Sequence, residues 1–145
     1  MRLARAAGRL QRERYETRLE VRTKGTPINL VTEVDHACER LIVDGIAAER
    51  PDDAIEAEEG SRAGREDAAW RWVIDPLDGT MNYAHGYPRF CVSIGVQRDG
   101  QGEIGVVYDP LLDELFAATR GQGATRNGRP IRVSDRKSTR LNSSH

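Results

Sequence analysis

Asp75-Pro76-Leu77-Asp78-Gly79-Thr80 constrains this chain more than any other stretch. It follows the short apolar run Trp72-Val73-Ile74, which reads as a strand, so two carboxylates three residues apart end that strand and lead into a Gly-Thr turn. Pro76 fixes one φ and removes one backbone donor, and Gly79 admits a backbone that other residues avoid, so the local path is narrow. If that path turns both side chains inward, they repel each other unless a cation sits between them. An all-oxygen donor set, with the Leu77 carbonyl as a third ligand, favours Mg²⁺ over zinc. The alternative is an Asx-turn with helix N-capping, and the motif alone leaves both open.

The rest of the chain supplies two helices before this point and a set of strands after it. Leu3, Ala6, Ala7 and Leu10 recur at helical spacing and predict an amphipathic first helix with arginines on its wet side. Lys24-Gly25-Thr26-Pro27 reads as a loop. Thr32 offers an N-cap for a second helix running to about Glu49, with Val34, Ala37, Cys38, Leu41, Ile42 and Ile46 as its buried stripe. Pro51-Asp52-Asp53 stops it, and Ala54 to Ala57 predicts a strand ending at Glu58-Glu59. Phe90, Val92, Ile94 and Val96 alternate with Cys91, Ser93, Gly95 and Gln97, Ile104 to Tyr108 and Leu115 to Ala118 predict further strands, and Asn127-Gly128 marks a turn. No internal repeat is present. The expected fold class is therefore α+β: two long helices packed on an antiparallel meander.

With 145 residues and a net charge of −1, the chain fits one compact domain and argues against a dedicated nucleic-acid binder. Of the 22 basic residues, 20 are arginine, a bias that points to a GC-rich coding sequence. No apolar run approaches the roughly 20 residues a bilayer-spanning helix needs, and no secretory leader is evident, so a cytoplasmic protein is expected. Cys38 and Cys91 lack the partners of a zinc site or a disulfide framework. Residues 135–145 are polar, aperiodic and similar to a translated sequencing-library adapter. A domain over 1–134 with a non-native or disordered tail over 135–145 is expected.

Three further positions bear on chemistry. Glu58-Glu59, at the end of a separate strand, brings another carboxylate to the same sheet edge if the two strands neighbour each other; otherwise it is a surface acidic pair. Thr80 opens a short helix, Thr80 to Ala84, whose N–H groups suit a phosphate, or it simply caps that helix. Asp35, expected on the first turn of the second helix, is either a site residue or a favourable charge at a helix N-terminus.

Leu30-Val31-Thr32-Glu33-Val34-Asp35, Glu58-Glu59, Trp72 to Tyr83, and Gly105-Val106-Val107-Tyr108-Asp109-Pro110 together resemble the inositol monophosphatase family in order and spacing. The resemblance implies the family's layered α/β sugar-phosphatase fold and Mg²⁺-dependent hydrolysis of a phosphate monoester by an activated water. It implies that Glu58, Asp75, the Leu77 carbonyl and Asp78 hold Mg²⁺. It further implies that Asp35 and Thr80 orient and activate the water, and that Glu58, Leu77, Asp78, Gly79 and Thr80 face the substrate. Lys24 matches a lysine of the family's mobile loop, although a solvated loop charge explains it equally. Lithium sensitivity and a homodimer follow from the resemblance alone.

Ala57 and Gly60 flank the acidic pair where Gly and Ser are usual, which leaves the ligands intact. The family's second half, with another aspartate ligand in a Trp-Asp motif and most sugar contacts, does not occur before His145, so this chain by itself is expected to be nearly inactive. Fructose bisphosphate, histidinol phosphate and 3′-phosphoadenosine 5′-phosphate are alternative substrates within the superfamily, with His85-Gly86-Tyr87-Pro88 favouring the inositol branch. A non-catalytic module that kept the fold, or nucleic-acid binding by the first helix, are readings of other classes.

Overall fold

The computed structural model describes the backbone of residues 1–20 and 27–134, and side chains outside 18–32. Lys24 and the tail 135–145 lie outside the described residues. The chain forms α1 (Arg2–Glu20), α2 (Pro27–Glu49), β1 (Ala54–Ala57), β2 (Arg62–Ala63), β3 (Trp70–Asp78), α3 (Thr80–Ala84), β4 (Cys91–Arg98), β5 (Gln101–Asp109), β6 (Glu114–Thr119), β7 (Gly123–Arg126) and β8 (Arg129–Ile131). No helix among the described residues is long and apolar enough to cross a membrane.

The strands make one eight-stranded sheet in the order β2-β1-β3-β4-β5-β6-β7-β8. From β3 onward it is the expected antiparallel meander, and β1 departs from that pattern by running parallel to β3, with Ala57 opposite Ile74. The alternation along β4 is realised: Val92, Ile94 and Val96 are buried while Cys91, Ser93 and Gln97 are half-exposed. Asn127 and Gly128 have φ of 50° and 79°, two left-handed residues that close the β7–β8 hairpin in the sense that matches strand twist.

Both long helices pack on the sheet face that carries Ile74, Val92, Ile94, Val106 and Tyr108. In α1 the buried stripe is Ala4, Ala7, Gly8, Gln11 and Tyr15, with Leu3 and Leu10 at its margins rather than its centre. Small residues win the centre because the helix lies close to its neighbours: a methyl group at Gly8 would run into the Tyr108 ring, and one at Gly45 into the Leu3 side chain. Tyr15, Tyr83 and Phe90 fill the end of this interface, their ring centroids 4.8–5.5 Å apart.

The second helix starts earlier than expected. Pro27 opens α2, as suits a residue whose φ is preset and whose missing N–H would be unpaired in a first turn anyway. Thr32 therefore lies inside the helix and is not its N-cap. Asp35 sits more than two turns in, so the helix N-terminus does not account for its charge. Asp35 and Glu39 are both buried, at 5% and 2% exposure, on the same stripe as Val34, Cys38, Ile42 and Ile46.

Candidate active site

β3 faces β4 with Asp75 opposite Ser93 and Asp78 opposite Cys91, so Pro76 and Leu77 together oppose the single residue Val92. Two residues against one is a β-bulge. In a regular strand, residues three apart point to opposite faces; the extra residue returns Asp75 and Asp78 to one face, that of Cys91 and Ser93. Pro76 is tolerated in an interior strand because the bulge asks no ladder bond of it. The bulge is also anchored from beneath: the fully buried Gln11 of α1 donates from Nε2 to the Pro76 carbonyl at 2.6 Å, and Leu77 is packed into the core.

The Leu77 amide donates to Asp75 Oδ1 at 3.2 Å, so the Asx-turn is formed. N-capping is not: α3 begins after Gly79 with no side-chain cap, and the Thr80 hydroxyl turns back to donate to the Leu77 carbonyl at 3.1 Å. Gly79 has φ of 94°, and a Cβ there would stand 2.8 Å from the Arg89 carbonyl oxygen, so both backbone and space require glycine. The short α3 is held against the helices by Tyr83, whose hydroxyl donates to the Gln11 carbonyl at 2.9 Å.

Glu58 and Glu59 form the centre of a turn closed by the Gly60 amide on the Ala57 carbonyl at 3.0 Å. The Glu58 amide donates to the Ile74 carbonyl at 2.9 Å, so the parallel pairing of β1 with β3 is what sets Glu58 beside Asp75. From the other side, the Glu59 and Ser61 amides donate to the two carboxylate oxygens of Glu39, at 3.0 and 3.1 Å.

The electrostatics follow from this crowding. Burial, then a hydrogen bond with Glu58 and the charges of Glu58 and Asp78, hold the Asp75 carboxyl well above the usual carboxylate range. Burial, then the charges of Glu59, Glu58 and Glu39, push Asp35 up to about 7. Asp35 Oδ1 is buried with no hydrogen-bond partner among the described residues. The Cys91 thiol is raised to about 12 by burial and by Asp78, Asp75 and Asp109, which keeps it protonated and a poor nucleophile.

Of the residues expected at the site, Glu58 meets Asp75, Asp75 meets Asp78, Asp35 feels Glu58 and Glu59, and Thr80 bonds the Leu77 carbonyl. Among the described residues no three of His, Cys, Asp and Glu stand close enough to grip a metal ion as they are. The donors nonetheless fit a hard cation: all are oxygens, they repel one another, and one buried carboxylate oxygen has its lone pairs unused. Sequence reasoning missed Gln11 and Glu39. The signal for Glu39 was present, since it continues the buried stripe of α2 one turn beyond Asp35.

The family model for the inositol monophosphatase family matches residues 1–145. The chain is 46% identical over 136 residues to the Nus factor SuhB of Escherichia coli K12, covering 92% of this chain and 51% of that protein. It is 48% identical over 115 residues to the inositol-1-monophosphatase of Synechocystis, covering 79% of this chain and 40% of that enzyme. The crystal structure of the extragenic suppressor protein SuhB from Bartonella henselae matches with a TM-score of 0.82 at 37% identity, over 93% of this chain and 52% of that one. The chain thus spans about half the length of the relatives it matches. Its bulged Asp-Pro-Leu-Asp strand, the acidic turn beside it and these similarities lead to one assignment: the chain belongs to the inositol monophosphatase family.

Proposed function

We propose that the complete protein hydrolyses a phosphate monoester with Mg²⁺, an inositol phosphate being the substrate, and that this chain supplies the cation-holding half of the site. The observation that carries the reading is the bulge that puts Asp75 and Asp78 on one face with Glu58 hydrogen-bonded to Asp75. Glu58, Asp75, Asp78 and the Leu77 carbonyl would hold the metal, which when bound polarises phosphoryl oxygens and acidifies a water. This many carboxylates would repel a phosphate dianion, and a cation held by them would offset that repulsion.

The chain's own groups then divide the work. Asp35, buried and poised near neutrality, accepts a proton from the attacking water as that oxygen forms its bond to phosphorus and the ester oxygen leaves. The Thr80 hydroxyl, its hydrogen committed to the Leu77 carbonyl, offers its lone pairs to the same water. The Gly79 and Thr80 amides meet phosphate oxygens. α3 lies against α2, which supports pairing Thr80 with Asp35. A cytoplasmic homodimer sensitive to lithium completes the proposal.

The test is phosphate release by the complete protein from inositol 1-phosphate, fructose 1,6-bisphosphate, histidinol phosphate and 3′-phosphoadenosine 5′-phosphate, with and without Mg²⁺. Mg²⁺-dependent turnover led by inositol 1-phosphate is expected; turnover indifferent to Mg²⁺ and to Asp78→Asn would overturn the reading. The SuhB relatives carry a second reading, a role as a Nus factor. Asp35→Asn separates the two, because it removes hydrolysis and leaves a role exerted by binding intact.

A further inference from the structure

Glu39 is 2% exposed, and no cation among the described residues lies within ion-pair distance of it. A carboxylate taken out of water without a counter-charge is costly unless its oxygens are hydrogen-bonded. Here both are, and both donors are backbone amides of one turn: Glu59 to Oε2 and Ser61 to Oε1. That turn also carries the Glu58 side chain, which is itself exposed. The neighbouring amide, that of Glu58, is held on the opposite side by the Ile74 carbonyl. The backbone that presents Glu58 is thus gripped between β3 and α2, and a carboxylate offers one acceptor oxygen to each of the two amides on the helix side.

We propose that Glu39 is a positioning residue for the acidic turn: by clamping the Glu59 and Ser61 amides it fixes the direction in which Glu58 reaches toward Asp75. This rests on the reading of Glu58 as a metal ligand. Supporting hydrogen bonds of this kind change metal affinity by about 10- to 100-fold when removed. Glutamine at this place keeps the shape, but its amide nitrogen faces one of the two N–H groups, so one bond is lost and a donor opposes a donor.

The experiment compares the complete protein and its Glu39→Gln variant, with circular dichroism to establish folding, in three measurements: Mn²⁺ binding by electron paramagnetic resonance, amide hydrogen exchange, and hydrolysis against Mg²⁺ concentration. The expected result is an apparent Mn²⁺ Kd raised at least about 10-fold. Faster exchange should be confined to the amides of Glu59 and Ser61, and the Mg²⁺ requirement should rise with kcat at saturating Mg²⁺ little changed. A folded variant that binds Mn²⁺ like the parent overturns the proposal, as does exchange that quickens equally along β3 and β4, the mark of general destabilisation. If the glutamine variant does not fold, Glu39→Asp keeps the charge but shortens its reach, and the same readings decide. Failure of the unmodified protein to bind Mn²⁺ would instead overturn the metal reading of the site, and this inference with it.

Discussion

Asp35 combines burial, an unpartnered oxygen and an environment of three other carboxylates. Replacing it with asparagine preserves the shape and removes the proton acceptor, so the complete protein should lose about 10²- to 10⁴-fold in kcat with the Mn²⁺ affinity of the Glu58 region retained. Steady-state kinetics paired with metal titration check this. The raised carboxyls also make stability depend on pH. With Asp35 near 7 and Asp75 elevated, the folded chain binds more protons than the unfolded one from about pH 4 upward. Their contribution is complete below the ordinary carboxylate range and is lost as pH rises through about 7. Urea denaturation without divalent ions should accordingly show lower stability at pH 8 than at pH 5, by on the order of 2 kcal/mol after allowance for solvent screening. Mg²⁺ should shrink the difference, since it favours the ionised forms. A flat or rising stability over that range would contradict the environment described for these two residues.

At the level of elements, the bulge in β3 is the decisive device. Inserting one residue between Cys91 and Val92 of β4 would restore one-to-one pairing with β3 and send Asp75 and Asp78, three apart in a then regular strand, to opposite faces. Loss of Mn²⁺ binding with far-ultraviolet circular dichroism largely kept is the expected outcome; retained binding would show that the two carboxylates do not act together. The alternation of β4 was readable because it faces a core on one side and not the other, and the two-residue Asn127-Gly128 hairpin because its backbone suits few other residues. The bulge was not readable as such: Asp75 to Thr80 announces constrained backbone, but register is a property of two strands. The parallel pairing of β1 with β3 was hidden for the same reason, as its partner lies across the β2 hairpin. The size of Leu3 and Leu10 points to them as the centre of the α1 stripe, whereas the structure buries Ala4, Ala7 and Gly8 there, Gly8 directly against Tyr108. The position of Glu39 on the stripe of α2 is legible in the sequence, but its partners are not, because the Glu59 and Ser61 amides that satisfy it belong to a turn brought there by the fold.

For the whole molecule, the helices cover one face of the sheet while the other leaves Val73 and Val107 at 40% and 38% exposure. The chain spans about half of its relatives' length. On the proposed function, phosphate release by the 145-residue chain should fall at least about 100-fold below that of a protein spanning the full length of its relatives, the size of loss that follows when metal-supporting and substrate-positioning groups are removed. Comparable turnover from the two would refute it. The outermost strands of the sheet are β2, of two residues, and β8, of three, with Pro130 in the middle of β8. Such borders offer few unpaired amides and carbonyls to a passing chain, and the proline withholds one outright. Lateral stacking of copies into an endless ribbon is thereby discouraged, so that any tendency of this polypeptide to self-associate should arise from the sheet face the helices leave open and respond to mutation there, at Val73 and Val107, rather than at the rims.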